Sequence, residues 1–138
     1  MQVLTAIPVD EVKKHPDGRV DLLGLYEDIY FDRVPFTFDA LSLFVDLRFE
    51  PEDQGRRHVL EFRIADEDGT LIHETTRARF EVPAGDALPR STAQLDMAFF
   101  DVTFHRFGPH AIEIWLGDTL LRTVSLYVLP SEPPAGGG

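Results

Sequence analysis

Hydrophobic and polar residues alternate along most of this chain, and the alternation predicts β-strands. In residues 41–49, LSLFVDLRF, every odd position is apolar, which is typical of a strand with one buried face and one face in water. Only residues 9–14 have a spacing compatible with a helical turn. The predicted strands cover residues 3–7, 19–31, 41–49, 60–65, 71–82, 95–99, 111–116 and 120–129.

Turn-forming residues separate these strands and indicate the fold class. Segments 15–18 (HPDG), 66–69 (DEDG) and 117–119 (GDT) predict tight connections. Because no long helical segment lies between strands, we expect an all-β fold, an antiparallel immunoglobulin-like two-sheet β-sandwich of about eight strands. A closed barrel is the alternative. Residues 1–129 form the single predicted domain, and residues 130–138, with three prolines and three glycines, predict a disordered tail.

Composition excludes several classes of function. The 138 residues carry 24 acidic and 13 basic side chains, a net charge of −11, which disfavours nucleic acid and anionic membrane surfaces as partners. The absence of cysteine excludes disulfides, thiolate catalysis and cysteine-ligated metals. No apolar run approaches the roughly 18 residues that span a bilayer, and the first residues lack the basic start of a secretory signal. We therefore expect a soluble cytoplasmic protein with no nucleic-acid or membrane partner.

Motifs for catalysis are not found in the sequence. The serines lie outside any Gly-x-Ser-x-Gly elbow, and the glycines are dispersed among turns rather than grouped in a phosphate-binding loop. We therefore expect neither enzymatic activity nor a cofactor.

Two segments are candidates for a divalent-metal or small-ligand site at one end of the sandwich. Asp101, His105 and His110 lie around a Gly-Pro turn that could bring them near each other, although their spacing does not impose it. Residues 66–68, Asp-Glu-Asp, resemble the start of a calcium loop, but apolar residues follow where more oxygen ligands are needed. A hairpin turn would explain residues 66–68 without an ion, and a position at the surface or in turn packing would explain the histidines. The acidic stretch 50–55 is interpreted as a solvated loop.

Large apolar side chains on an outer sheet face are the most informative functional signal. Alternation in the hairpin 111–129 directs Trp115 outward, and a three-residue loop would place Leu121 opposite it, with Tyr127 further along that face. Phe44 is the outward apolar residue of its own strand. Exposed aromatic groups on a sheet mark binding surfaces, so we predict a protein partner or a homodimer. A two-residue loop would instead turn Leu121 inward.

Three segments carry a resemblance to a known family. Residues 1–6 (MQVLTA), 17–26 (DGRVDLLGLY) and 107–128 resemble a widespread family of short bacterial β-sandwich proteins known only as a domain of unknown function. The resemblance covers residues 1–129 and rests on structural glycines and strand patterns. It implies a stand-alone immunoglobulin-like sandwich with no assigned activity or cofactor. His110 departs from the pattern, since sandwich domains of this kind often have a tyrosine near that place.

Overall fold

The computed structural model describes residues 1–85 and 92–131. Within these ranges the chain forms nine β-strands and one short 3-10 helix at Pro51–Asp53. The strands are β1 (Gln2–Lys14), β2 (Val20–Leu25), β3 (Asp28–Phe31), β4 (Phe36–Arg48), β5 (Arg56–Asp66), β6 (Thr76–Val82), β7 (Thr92–Phe104), β8 (Gly108–Leu116) and β9 (Thr119–Pro130).

Two sheets enclose one apolar core. The four-stranded sheet has the order β2-β1-β4-β7, and the five-stranded sheet, curled like half of a barrel, has the order β3-β9-β8-β5-β6. On β4 the odd-numbered side chains from Leu41 to Leu47 are buried in the core, as the alternation predicts. They meet inward side chains of the other sheet, among them Phe62, Ile112 and Ile114.

The all-β prediction is confirmed, with two corrections. The predicted strand 19–31 is two strands in different sheets, since the chain leaves the four-stranded sheet after Leu25 and joins the other sheet at Asp28. Backbone bonds hold this crossing on both sides: Tyr26 N–H donates to Pro8 O, and Tyr127 N–H donates to Glu27 O. Residues 1–85 and 92–131 therefore contain nine strands where about eight were predicted, and the antiparallel arrangement is wrong for one pair, because β3 pairs in parallel with β9.

Residues 9–14, whose spacing is compatible with a helical turn, form no helix. These residues continue β1 to Lys14 and pair in register with β2, from Val9 opposite Leu25 to Lys14 opposite Val20. Pairing with β2 gives this segment more backbone hydrogen bonds than a single isolated helical turn would form.

The predicted domain boundary lies close to the end of β9. Pro130, opposite Phe31, is the last strand residue, and Ser131 N–H donates to Phe31 O. The rest of the predicted tail, residues 132–138, lies outside the described residues. Within the described ranges, no helix has the length and apolar character needed to cross a membrane.

Candidate interaction surface

Trp115 lies on the outer face of the five-stranded sheet, as predicted, but it is half-buried. Its cross-strand neighbour on β5 is Glu61, and the Arg63 guanidinium lies over its ring, 4.6 Å from the centroid. The indole Nε1–H donates to Glu113 Oε1 at 3.0 Å. The polar group of Trp115 is satisfied, and a cation covers part of the ring, so the side chain is largely occupied within its own sheet.

Leu121 does not lie opposite Trp115, and that prediction is wrong. The connection from β8 to β9 has two residues, with Gly117 at φ 57, and Leu116 pairs with Thr119. This two-residue turn directs the side chain of Leu121 towards the core, and a bulge next to Trp115 leaves Leu121 as the extra residue of β9. Leu120 takes the outward position opposite Trp115.

Tyr127 shares the outer face with Trp115 but lies near the other end of the hairpin. It is exposed and stands opposite Pro109. Six residues of β8 separate Pro109 from Trp115, a distance of about 20 Å along the strand. The structure therefore does not bring Trp115, Leu121 and Tyr127 into one patch.

Phe44 faces outward from the four-stranded sheet, as predicted, but it is not exposed. Leu43 and Val45 on either side belong to the core, whereas Phe44 points away from it and is only 7% exposed. On the neighbouring strands it stands opposite Ile7 and Asp96. Phe44 is therefore buried on the outer face of the sheet and not in the core.

The outer side of the four-stranded sheet carries a second apolar cluster. Val9, opposite Leu25 on one side and Ser42 on the other, is 0% exposed although it lies outside the core cluster. Leu25 and Phe100, in contrast, are 59% and 64% exposed. We call this set the outer apolar face, which comprises Ile7, Val9, Leu23, Leu25, Phe44 and Phe100.

The candidate metal residues do not converge. Asp101 and His105 are exposed, whereas His110 is buried on the inner side of β8, with its ring edge-on to Phe104 at 5.1 Å. His110 Nδ1 lies 3.0 Å from Gly108 O, and its Nε2 has no hydrogen-bond partner among the described residues. No group of three potential ligands forms within the described ranges. His110 therefore acts in packing at the end of the core.

A guanidinium occupies the centre of the acidic turn at 66–68. Arg106 Nη1 lies 2.7 Å from Asp68 Oδ2 and 3.8 Å from Asp66 Oδ2, and Nη2 lies 2.5 Å from Glu67 Oε1. Hydrogen bonds to Asp68 and Glu67 raise the pKa of Arg106 above its usual value. Asp66 Oδ1 also accepts the backbone N–H groups of Asp68 and Thr70. The protein itself supplies the cation that this turn needs.

The acidic stretch 50–55 is only partly solvated, which corrects its interpretation as a loop in water. Asp53 is buried, and its Oδ2 accepts the Glu50 N–H at 2.7 Å and pairs with the Met1 ammonium at 2.8 Å. The His58 ring Nε2 lies 2.8 Å from Asp53 O. This carboxylate ties the start of β1 to the 3-10 helix.

A groove of about 650 Å³ lies between β1 and β9, where the two sheets come side by side. Arg122 reaches across and donates from Nη1 to Val3 O at 3.4 Å. Burial, assisted by the charge of Asp10, raises the pKa of Tyr26 in this groove to about 12. A phenol with that pKa stays protonated at neutral pH, so Tyr26 does not supply a general base.

The fold and its surfaces define a class of protein: a two-sheet all-β protein with an apolar outer face, whose described residues form no metal-ligating cluster. The chain belongs to a family of unknown function, DUF6941, whose model matches residues 5–129. The resemblance to a family of unknown function is thus confirmed. No curated protein matches the chain.

Sequence reasoning missed two of these features. The predicted first strand ended at Ile7, and strand alternation continued to residue 9 would have placed Val9 outward beside Ile7. Arg106 is 38 residues from Asp68 in sequence, and no local pattern indicates that pairing.

Proposed function

We propose that this protein is an immunoglobulin-like β-sandwich that acts as a non-enzymatic binding module and self-associates through the outer apolar face. The observation that carries the proposal is the exposure of Leu25 and Phe100, 59% and 64%, on the side of the sheet that faces away from the core. Val9 and Phe44 lie buried on the same side, so the two exposed side chains extend an apolar cluster into solvent. A contiguous apolar surface on a protein of this size is typical of a binding site.

A second copy of the chain is the occupant that the surrounding charges favour. Lys13 lies beyond one end of the outer apolar face, and Asp46 lies beyond the other. If two copies meet face to face with their strands in opposite directions, Lys13 of one comes near Asp46 of the other. A two-fold axis repeats this contact, so one patch supplies both halves of the interface.

The size of the face indicates a weak, reversible dimer. Four strands about 4.8 Å apart give a width of about 19 Å, and the residues from Ala40 to Phe44 span about 14 Å along the sheet. Two such faces bury less than the roughly 1,600 Å² of a standard interface. We therefore expect a dimer that dissociates on dilution.

Sedimentation velocity from about 1 μM to about 1 mM tests the proposal. The wild type is compared with Leu25→Ser and Phe100→Ser, which remove exposed side chains of the outer apolar face. Each substitution forfeits about 1.5–3 kcal/mol of apolar burial, so we expect about tenfold weaker dimerisation or more. Leu71→Ser is the matched control, since Leu71 is 47% exposed but lies on the connection between β5 and β6.

Two results would contradict the proposal. A wild type that stays monomeric up to the highest concentration removes self-association. A loss of dimer in Leu71→Ser as large as in Leu25→Ser would show that a different surface makes the contact.

A further inference from the structure

Strands β5 and β6 carry an excess of positive charge in a strongly acidic chain. Their 11 and 7 residues include five arginines against three acidic residues, a net charge of +2 that leaves −13 for the rest of the chain. The arginines are Arg56, Arg57, Arg63, Arg77 and Arg79. This asymmetry favours an acidic partner at one place on a molecule that repels acidic partners elsewhere.

Only some of these arginines are neutralised within the sheet. Arg63 Nη2 lies 2.9 Å from Glu61 Oε2, and Arg77 Nε lies 3.4 Å from Glu61 Oε1. The hydrogen bond from Arg63, with the charge of Arg77, lowers the pKa of Glu61. Arg57 and Arg79 have no carboxylate oxygen within 4.0 Å among the described residues. Their charges are available to a ligand.

Arg57 and Arg79, two of the available arginines, flank an apolar depression at an open sheet edge. Val59, exposed on β5, stands opposite Arg79 on β6, and Arg57 lies on the same face two residues before it. A depression of about 380 Å³ is lined by residues 57–59 and 79–81. Strand β6 ends the sheet order, so its outer edge has no strand partner in the described part of the chain.

We propose that this edge binds an extended acidic segment of a partner protein by strand addition. The backbone of the segment pairs with β6, and acidic side chains at alternate positions lie on the same face as Arg57 and Arg79. Apolar groups of the segment contact Val59. Arginine forms paired, charge-assisted hydrogen bonds with carboxylates, which gives the contact its chemical selectivity. Nucleic acid is disfavoured, because its phosphates continue past the depression over a surface of net negative charge.

Fluorescence anisotropy with a labelled peptide of alternating glutamate and valine tests this site. We expect the wild type to bind it, to bind it more weakly as salt rises, and not to bind a lysine–valine peptide of the same length. The double variant Arg57→Gln/Arg79→Gln loses two charge-assisted contacts, so its affinity for the peptide should fall by about tenfold or more. Arg33→Gln, which changes an exposed arginine between β3 and β4, is the matched control and should bind like the wild type.

Amide hydrogen exchange with the same peptide locates the contact. Strand addition predicts slower exchange within Thr76–Val82, and protection concentrated elsewhere would overturn the proposal. It would also be overturned if the wild type failed to bind the glutamate peptide, or if the double variant bound as well as the wild type. Equal binding of single-stranded DNA of the same charge, lost in the double variant, would show a general polyanion site and overturn the protein partner. Circular dichroism of the double variant confirms that these exposed changes leave the fold intact.

Discussion

At the scale of single residues, Asp53 is the charged group most deeply involved in the fold. Burial alone would raise its pKa, but hydrogen bonds from the Met1 ammonium and the Glu50 N–H, with the positive charge of the ammonium and His58, lower the pKa on balance. A carboxyl group with a lowered pKa in the folded protein stabilises the fold while it is ionised. Asp53 thus stabilises the junction of β1 with the 3-10 helix.

Asp53→Asn removes the charge and retains the size. We expect the free energy of unfolding at neutral pH to fall by about 1–3 kcal/mol, because buried donors lose a charged acceptor. The carboxylate contributes fully above the unfolded pKa, about 3.9, and its contribution is lost as the pH falls through the lower folded pKa. Urea unfolding of both proteins from neutral pH into acid should therefore show a difference that shrinks below about pH 4.

Glu52→Gln is the control for Asp53→Asn, since Glu52 is the adjacent acidic residue and is exposed. It should change the free energy of unfolding by less than about 0.5 kcal/mol. A difference between wild type and Asp53→Asn that stays constant into acid would contradict the role of the charge.

At the scale of elements, β2 is attached to β1 through a glycine that no other residue replaces easily. Gly24 has φ +70, and a Cβ there would collide with the side chain of Asp10. Gly18, in the turn before β2, has φ +90 but no atom within 4 Å of the added Cβ. Backbone strain is therefore common to a substitution at either glycine, whereas the steric clash occurs only at Gly24.

Gly24→Ala should be more destabilising than Gly18→Ala. A left-handed conformation at alanine disfavours both variants by about 1–2 kcal/mol, and the clash with Asp10 adds about 1 kcal/mol at Gly24. Thermal and urea unfolding of the two variants measure the difference. Equal destabilisation would show that Asp10 moves aside and that β2 is not held by this close approach.

Alternation predicted most elements, and the errors have local physical causes. β4 follows the predicted pattern from Leu41 to Leu47 because one face is core and the other is not. Residues 19–31 were predicted as one strand, although the chain crosses between the sheets at residues 26–27. Backbone hydrogen bonds to both sheets hold this crossing, and the pattern of side chains does not reveal such bonds. Leu121 turned inward because the turn after β8 has two residues, which places Leu120 and not Leu121 opposite Trp115, and the sequence is compatible with both a two-residue and a three-residue turn.

At the scale of the whole molecule, the binding surface depends on which strands become neighbours. Alternation directed Phe44 outward, but only the sheet order places it between Ile7 on β1 and Asp96 on β7. Trp115 was directed outward as well, yet Arg63 and Glu113 from two strands occupy its exposed sides. The alternation pattern of one strand therefore indicates which residues point outward, and the order of the strands in the sheet decides which of these residues form a binding surface.

The central claim, self-association through the outer apolar face, is tested most directly by a distance between two copies. The chain has no cysteine, so Gln94→Cys places a single spin label beside that face, opposite Asp46, and Ser125→Cys places one on the outer side of the other sheet. With Ser42 and Ala98 at the level of the two-fold axis, a rise of about 3.4 Å per residue and sheets about 10 Å apart predict a separation of about 25–35 Å between the two copies of Gln94→Cys. Electron–electron dipolar spectroscopy at dimer-forming concentration should find that separation, and a longer one for Ser125→Cys. No dipolar signal from Gln94→Cys, or a shorter distance from Ser125→Cys, would contradict the claim.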